Sequence, residues 1–332
     1  MADLKRVIEI SSAPTRLSVK HKQLVLEIAE REPVRVPLED LGVLVVDQPE
    51  TRFTHNALVG LAEAGATVAL CGADHLPAAL LLPLDGHGRQ AERFRRQADA
   101  NAPVKKRLWQ ALIAAKISQQ AIVLLAAKGR DDGLPRLAGQ VRSGDPDNLE
   151  AQAAQRYWPA LMGRDFRRDR FGAPPNGLLN YGYAVLRAAC ARSLVGAGLH
   201  PSLGIFHERR DNPFCLADDL IEPFRPYVDW VVHGLMEAGH AGEVDRDGKR
   251  ALLGLFGERV DLGGRAVPLM LAIERAAQGL AAALAGDEIS EAGNAARLIL
   301  PRGLTLGAEA ASPPLPDDEA SDAGAGDGPP AG

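Results

Sequence analysis

The chain has 332 residues, of which 46% are hydrophobic and 24% are charged. This length accommodates two domains, and the composition is typical of a soluble globular protein, which excludes fibrous and wholly disordered classes. The formal net charge of -5 is unusual for a nucleic-acid-binding protein, but six of the 43 acidic residues and none of the 38 basic ones follow Arg302, so the remainder is nearly neutral.

Neither a membrane helix nor a secretory signal is expected. No segment approaches the roughly 18 consecutive apolar residues that a membrane helix requires, and the N-terminal residues MADLKRVIEI lack the apolar core of a signal peptide. The three cysteines have no CxxC spacing, which argues against a zinc ribbon or a disulfide framework. We therefore expect a cytoplasmic protein without membrane association.

Residues 1–84 are predicted to form a small β-rich domain. Short segments rich in Val, Ile and Leu, such as VIEIS, LVLEI and LGVLVVD, alternate with Pro, Gly and acidic residues. One helix interrupts them, because Thr54 is a suitable N-cap and Gly65 a suitable end for the segment THNALVGLAEA.

Residues 85–107 are predicted to be a basic linker, since they contain seven Lys and Arg against three acidic residues. Such a run is consistent with a solvated helix face beside a hinge and also with a phosphate-contacting surface. Residues 108–303 have a helical hydrophobic period almost throughout, which predicts a larger all-helical domain. Residues 304–332 are acidic and rich in Pro, Ala and Gly, which predicts disorder. The predicted fold class is α+β.

The segment IFHERRDNPFCLADDLIEPFRP contains an unusual group of acidic residues. With Asn212 as N-cap and Pro213 as its first residue, a helix here would carry three carboxylates on the face opposite its apolar residues. They belong to Asp218, Asp219 and Glu222. Like charges at these spacings repel, so a divalent metal between them is one interpretation, and an acidic solvent-exposed face is the other.

His207 and Glu150 are further candidates whose role their spacing leaves open. HERRD begins like the HExxH zinc motif, but Asp211 stands where the second histidine is needed, which excludes that motif. Glu150 lies in the first turn of a predicted helix that Asp145 or Asp147 caps. Taken alone it is an ordinary first-turn glutamate, and sequence spacing does not indicate that it meets His207.

Three segments, in order along the chain, resemble the spacer-acquisition integrase of CRISPR systems, the Cas-one family, and are most similar to its type II branch. They are DPDNLEAQAAQRYW, NGLLNYGYAVLRAACARSLVGAGLHPSLGIFH and LADDLIEPFRPYVD. The resemblance covers about residues 1–300. It implies a small β domain that serves dimerisation, followed by a helical catalytic domain.

The resemblance also implies a metal site. In that family a glutamate, a histidine and an acidic residue bind a divalent metal, and by motif these are Glu150, His207 and Glu222, with Asp219 as a companion acid. Glu222 stands where many members carry aspartate, which leaves open whether Asp219 or Glu222 is the closer ligand. Carboxylates with one imidazole suit Mg²⁺ or Mn²⁺.

The implied activity is that of a metal-dependent DNA endonuclease and integrase of CRISPR adaptation, a form of antiviral defence. The 3′-hydroxyl of a captured fragment attacks the backbone of a repeat by transesterification. The implied partners are a second copy of the chain, the small Cas-two protein and double-stranded DNA. The alternatives are a stand-alone metal-dependent nuclease on branched or single-stranded DNA, and a non-catalytic DNA-binding scaffold.

Arginines close to the proposed metal ligands are the candidates for DNA contacts, because phosphate contacts dominate the affinity of proteins for DNA. They are Arg164, Arg167, Arg168, Arg170, Arg209, Arg210 and Arg225.

Overall fold

Two four-stranded sheets form the N-terminal part of the chain in the computed structural model, which describes residues 5–285, 300 and 303–304. The strands are β1 Arg6–Ile10, β2 Thr15–Lys20, β3 Gln23–Ile28, β4 Val34–Pro37, β5 Leu41–Val46, β6 Arg52–Phe53, β7 Thr67–Cys71 and β8 Pro77–Leu81. One sheet has the order β1-β5-β7-β8 and is parallel except for the β7-β8 pair. The other has the order β4-β3-β2-β6 and is antiparallel except for the β2-β6 pair.

Strand β5 separates two hydrophobic cores. All six of its residues are buried, and alternate side chains of a strand point to opposite faces of a sheet. Val43 and Val45 pack into the core of the helical part, whereas Leu44 and Val46 pack into the core between the two sheets. The uninterrupted apolar run LGVLVV therefore reflects a strand that is covered on both faces.

Helix α1, His55–Glu63, lies among these strands as predicted. The Thr54 hydroxyl accepts a hydrogen bond from the backbone N–H of Ala57, and Gly65 follows the helix with a φ of 71°. Both predicted ends of the helix are confirmed, because the capping hydroxyl and the left-handed glycine satisfy the terminal backbone groups.

The remaining helices make up most of the described chain after residue 89. They are α2 Gln90–Ala98, α3 Ala102–Lys128, α4 Leu134–Gln140, α5 Leu149–Met162, α6 Asn176–Gly196, α7 Cys215–Ile221, α8 Arg225–Glu237, α9 Arg246–Gly254 and α10 Leu269–Ala285. Helices α3 and α6 are the longest, and most residues of α6 are buried. Helix α6 contacts α7, α8, α9 and α10 as well as strands β5 and β7, and so joins the helical part to the first sheet.

Helix α3 is the one helix in the described residues that is long and apolar enough to cross a membrane by length and composition. A buried core helix passes the same test, and Leu112 and Ile117 of α3 are fully buried among the other helices. The sequence did not predict a helix of this kind, because single polar residues, among them Lys116 and Ser118, interrupt the apolar run.

The predicted fold class, a β-rich N-terminal part followed by a larger helical part, is confirmed. The helical part also contains a short sheet that the all-helical prediction missed, with the order β10-β9-β11. Its strands are β9 Arg259–Asp261, β10 Ala266–Pro268 and β11 Gly303–Leu304. The turn between β9 and β10 contains Gly263 and Gly264, both with positive φ, so a Gly-Gly hairpin signal was present in the sequence.

Residues 85–107, predicted as a linker, contain α2 and the first six residues of α3. The predicted disordered tail, 304–332, lies outside the described residues apart from Leu304.

The close approach of α6 and α8 gives a prediction at Gly182. A Cβ added to this glycine would lie 2.5 Å from Cγ1 of Val228, whereas nothing lies within 4 Å of a Cβ added to the exposed Gly234 of α8. We expect Gly182→Ala to lower the free energy of unfolding by about 1 to 3 kcal/mol through overpacking. Gly234→Ala should leave it unchanged or raise it by up to about 1 kcal/mol, because alanine favours the helix. Urea denaturation measures both, and similar values for the two variants would contradict the packing argument.

Candidate active site

Glu150 and Glu222 come together at the ammonium group of Lys116. Lys116 lies in the middle of α3, Glu150 in the first turn of α5, and Glu222 in a 3-10 turn directly after α7. Nζ of Lys116 is 2.6 Å from Oε1 of Glu150 and 2.5 Å from Oε2 of Glu222. Three elements that are distant in sequence therefore bring two carboxylates onto one cation.

Local capping fixes the position of Glu150. The carboxylate of Asp145 accepts a hydrogen bond from the backbone N–H of Glu150 at 3.0 Å, and Asn148 is the N-cap residue of α5. The N-cap itself is therefore neither of the two predicted residues, although Asp145 does bind the N–H groups of the first turn. Asp147 instead pairs with Arg142 at 2.7 Å.

Glu222 is a buried carboxylate between two cations. Only 4% of the residue is exposed, and Nε of Arg225 lies 2.9 Å from its Oε1 atom. Burial opposes ionisation, but Arg225 and Lys116 outweigh it and hold the pKa of Glu222 below its ordinary value. Burial likewise acts against the charge of Lys116, but Glu222 and Glu150 outweigh it and raise its pKa. Oε2 of Glu222 thus faces the ammonium of Lys116, and Oε1 faces the guanidinium of Arg225.

Asp219 organises the loop that carries His207. One of its oxygens accepts hydrogen bonds from the backbone N–H groups of Ile205 and Phe206, at 2.7 and 3.2 Å. The other accepts from the N–H of His207 at 3.1 Å and lies 2.7 Å from Nδ1 of the same residue. Gly204 precedes this loop, and a Cβ there would overlap the carbonyl oxygen of His207. Asp219 is completely buried and both of its oxygens are engaged.

Aromatic packing holds the other side of His207. Trp109 of α3 stacks on Phe206 with ring centroids 4.0 Å apart and meets the His207 ring edge to face at 5.6 Å. The hydrogen bond to Asp219 raises the pKa of His207 against the effect of its partial burial. Because Nδ1 faces Asp219, Nε2 is the ring nitrogen available to a ligand.

Helix α2 anchors the beginning of the same loop. Gln97 is 2% exposed, and its side-chain nitrogen donates to the carbonyl oxygens of His200 and Leu203, at 2.9 and 2.8 Å. Its oxygen accepts from the backbone N–H of His200 at 2.8 Å. The segment expected to be a linker is therefore part of the scaffold of the His207 loop.

Asp218 has a third set of partners. Nε of Arg187 and the side-chain amide of Asn212 each donate to it at 2.7 Å. Asn212 is therefore not the predicted N-cap, and α7 begins at Cys215, two residues after the predicted start at Pro213. The alternative of an exposed acidic face is also wrong, since Asp218, Asp219 and Glu222 are all buried.

The predicted convergence of these three carboxylates on one point is wrong as well, because each binds a different group. Among the residues that the structure describes, no group of three or more His, Cys, Asp or Glu is close enough to hold a metal ion. Glu150 and Glu222 are the two acids that meet, and the charge of His207 is near enough to lower the pKa of Glu222.

A cavity of about 270 Å³ opens beside the Lys116 contacts. Its lining includes Lys116, Gln120, Glu150, Ala154, Trp158, Arg168, Tyr183, Glu222, Arg225 and Asp229. The guanidinium groups of Arg168 and Arg225 lie over the ring of Tyr183, 5.3 and 4.6 Å from its centroid. Two cations and an aromatic face thus border the two carboxylates.

Asp229 is the hydrogen-bond acceptor for two buried tyrosines, a network that the sequence did not predict. The hydroxyl groups of Tyr157 and Tyr183 both donate to its carboxylate, the former at 3.0 Å. Burial raises the pKa of Asp229 to about 6, although the two hydroxyls favour its charged form.

The predicted DNA-contacting arginines fall into two groups. Arg168 and Arg225 reach the cavity, and Arg168 is held by the side-chain oxygens of Asn176 and Asn180, at 2.9 and 2.7 Å. The others are exposed: Arg164, Arg167, Arg170, Arg209 and Arg210. Phe171, in the same loop as Arg168, is 90% exposed and has the Arg170 guanidinium 5.7 Å from its ring centroid.

Replacing Asp229 should change how stability depends on pH. Because its pKa is about 6 in the folded protein and near 3.8 when unfolded, the native state binds more protons between these values, and the free energy of unfolding falls as pH rises from about 4 to 6. The loss amounts to about 3 kcal/mol for a shift of this size. An asparagine side chain cannot ionise, so Asp229→Asn lacks this loss. The difference between the free energies of unfolding of the variant and of the wild type should therefore increase as pH rises across this window. Denaturant titrations at a series of pH values measure it, with the exposed Asp165→Asn as control, and a constant difference would contradict the burial argument.

Comparison with known proteins identifies the family. Residues 8–254 match the family model described as CRISPR associated protein Cas1. The chain is 44% identical over 230 residues to the CRISPR-associated endonuclease Cas1 of Neisseria meningitidis serogroup C, covering 68% of this chain and 74% of that protein. Its fold is similar to a casposase bound to integration product, with a TM-score of 0.69, 20% identity and coverage of 86% and 92% of the two chains. It is also similar to a chain of a Cas6-RT-Cas1–Cas2 complex, with a TM-score of 0.66, 17% identity and coverage of 87% and 36%. The resemblance found in the sequence is confirmed, and the chain belongs to the Cas1 family.

Proposed function

We propose that this protein is a metal-dependent DNA integrase and endonuclease of CRISPR adaptation, with Glu150, His207 and Glu222 at its reaction centre. One observation carries the proposal: two carboxylates that are distant in sequence share a cation in a cavity bordered by Arg168 and Arg225, and the charge of His207 is near enough to act on Glu222. Its family relative is named an endonuclease and its fold neighbour is bound to an integration product, which supports strand cleavage and joining as the chemistry.

The two carboxylates at Lys116 supply the hard oxygen donors that a divalent metal ion prefers, and His207 would have to approach them to complete a three-residue site. The lysine already provides a positive charge between Glu150 and Glu222. Glu150, Glu222 and Nε2 of His207 would hold Mg²⁺ or Mn²⁺, which prefer hard oxygen ligands and accept imidazole. When bound, the ion supplies charge stabilisation at the scissile phosphate.

We assign Asp219 to the orientation of His207 and Glu222 to the metal. Both oxygens of Asp219 already bind the loop, so a direct metal contact would compete with the backbone N–H groups of the loop, of which that of Ile205 is buried. A carboxylate that accepts from the far ring nitrogen fixes the tautomer and orientation of a metal-binding histidine. Arg168 and Arg225 would bind phosphate oxygens at the cavity, and the rigid packing of His207 against Trp109 would keep the reacting groups in register.

The proposed reaction is transesterification. The 3′-hydroxyl of a captured fragment attacks a backbone phosphorus of the repeat, a new P–O bond forms, and the displaced 3′-oxygen leaves with a proton. The proposed partners are double-stranded DNA, a second copy of this chain and a Cas2 protein, because a fold neighbour belongs to a complex that contains Cas2. A cytoplasmic location is part of the same proposal.

The decisive experiment is strand transfer of a short duplex with free 3′-hydroxyl ends into supercoiled plasmid. It compares Mg²⁺, Mn²⁺ and EDTA, with and without the Cas2 partner. Glu150→Gln and His207→Ala should lower joining at least about 100-fold while DNA binding persists, and the exposed Glu208→Gln is the matched control from the same loop.

The outcomes separate the alternatives. Metal-dependent joining that needs His207 and a free 3′-hydroxyl would support the integrase. Nicking without joining, even with the partner present, would indicate a stand-alone nuclease on branched or single-stranded DNA. Tight DNA binding without any reaction would indicate a non-catalytic scaffold.

The exposed Phe171 gives a second prediction. An aromatic ring among arginines is suited to stacking on an unpaired base, which contributes about 1 to 3 kcal/mol per base. We expect Phe171→Ala to weaken binding of a duplex with a single-stranded 3′ end by roughly tenfold and to leave the affinity for a blunt duplex nearly unchanged. Fluorescence anisotropy measures both, and Leu84→Ala, which alters an equally exposed apolar side chain, is the control. Equal loss on both substrates would contradict base stacking.

A further inference from the structure

Lys116 occupies a position where a positive charge is required. It is the one charged residue in the stretch LWQALIAAKISQQAIVLLAA of α3, and its side chain is only 12% exposed. Its ammonium contacts one oxygen of Glu150 and one of Glu222. Without a cation there, two carboxylates would face each other in a partly buried site, which is strongly unfavourable.

The cation that the carboxylates need comes from the chain itself when no metal is bound. Arg225 contacts only the other oxygen of Glu222 and no oxygen of Glu150 among the ion pairs of the described residues. The same carboxylate oxygens that would ligate a metal are therefore the ones that Lys116 holds.

Lys116 can leave this position without a change in the backbone. Leu112 and Ile117 fix α3 in the core. The side chain of Lys116, however, is a flexible four-carbon chain, and it borders a cavity into which the ammonium can turn. A displaced ammonium would remain in the cavity, beside Arg168 and Arg225, where the phosphate of a DNA substrate would have to lie.

We propose that Lys116 is a built-in counter-cation that holds Glu150 and Glu222 together in the metal-free protein, and that a divalent metal must displace it to bind. This inference rests on the proposed function, because it takes Glu150 and Glu222 as metal ligands. Lys116 thus stabilises the metal-free state and lowers the affinity for metal by competing for the same two carboxylates. The released ammonium is then free to contact substrate phosphate.

The test is Mn²⁺ binding by isothermal titration calorimetry, together with thermal unfolding in EDTA and in Mn²⁺. Lys116→Gln should unfold at a lower temperature in EDTA, bind Mn²⁺ roughly tenfold or more tightly, and gain more thermal stability from Mn²⁺ than the wild type. Lys116→Arg keeps the charge and should retain the wild-type affinity for Mn²⁺ within a few fold. Unfolding of Lys116→Gln in EDTA that Mn²⁺ reverses would also support the proposal.

Lys249→Gln is the matched control. Lys249 is another largely buried lysine between two acids, Glu9 and Asp47, but it lies between α9 and the first sheet. Its loss should lower stability in EDTA without changing the affinity for Mn²⁺.

The outcomes distinguish this inference from the proposed function. Unchanged or weaker Mn²⁺ binding by Lys116→Gln, or unfolding in EDTA that Mn²⁺ does not reverse, would overturn the counter-cation role while the metal site stands. Mn²⁺ binding that survives Glu150→Gln and Glu222→Gln, or no Mn²⁺ binding by the wild type, would overturn both.

Discussion

Burial of three carboxylates within five residues is the constraint that organises the candidate active site. A buried carboxylate must find a counter-charge or several hydrogen-bond donors. Asp218 forms an ion pair with Arg187 on α6, and Glu222 forms one with Lys116 on α3. Asp219 accepts hydrogen bonds from the backbone of the His207 loop. One short segment therefore ties two long helices and a loop to each other. These buried charges therefore determine how the elements pack.

The three acids differ because their partners differ in kind. Backbone N–H groups cannot move away from Asp219 without breaking the loop, so its carboxylate is committed to structure. A lysine side chain is flexible, and this difference is the basis of the proposal that another cation replaces Lys116 at Glu150 and Glu222. Sequence spacing treats Asp219 and Glu222 as equivalent acids one helical turn apart. The donors that face each of them are what separates a positioning role from a ligand role.

The sequence predicted the fold class and the helix after Thr54, because those features depend on local hydrophobic period and capping groups. Resemblance to known proteins, rather than spacing, indicated Glu150 and His207.

The sequence did not reveal that Lys116 joins Glu150 to Glu222, since that contact links residues from α3, α5 and the turn after α7. A signal was nevertheless present, because a lone lysine in the otherwise uncharged stretch 108–127 of α3 is costly to bury unless acids surround it. Asp229 gave no such signal, as its tyrosine partners come from α5 and α6.

The geometry of the candidate site also depends on elements outside α3, α5 and the turn after α7. Gln97 of α2 uses both atoms of its amide group to hold the segment before His207, so a displacement of α2 would be transmitted to the imidazole. Helix α6 carries Tyr183 and Arg187, and two of its other residues fix it to the N-terminal part. The hydroxyl of Tyr181 donates to Glu9 at 2.9 Å. Nε of Arg192 donates to the carbonyl oxygen of Gly65 at 2.7 Å. These buried polar contacts are directional, unlike the apolar packing around them, and so fix the register of α6 against the sheet. Any partner that binds the β-rich part and shifts it relative to α6 would therefore act on the cavity wall itself.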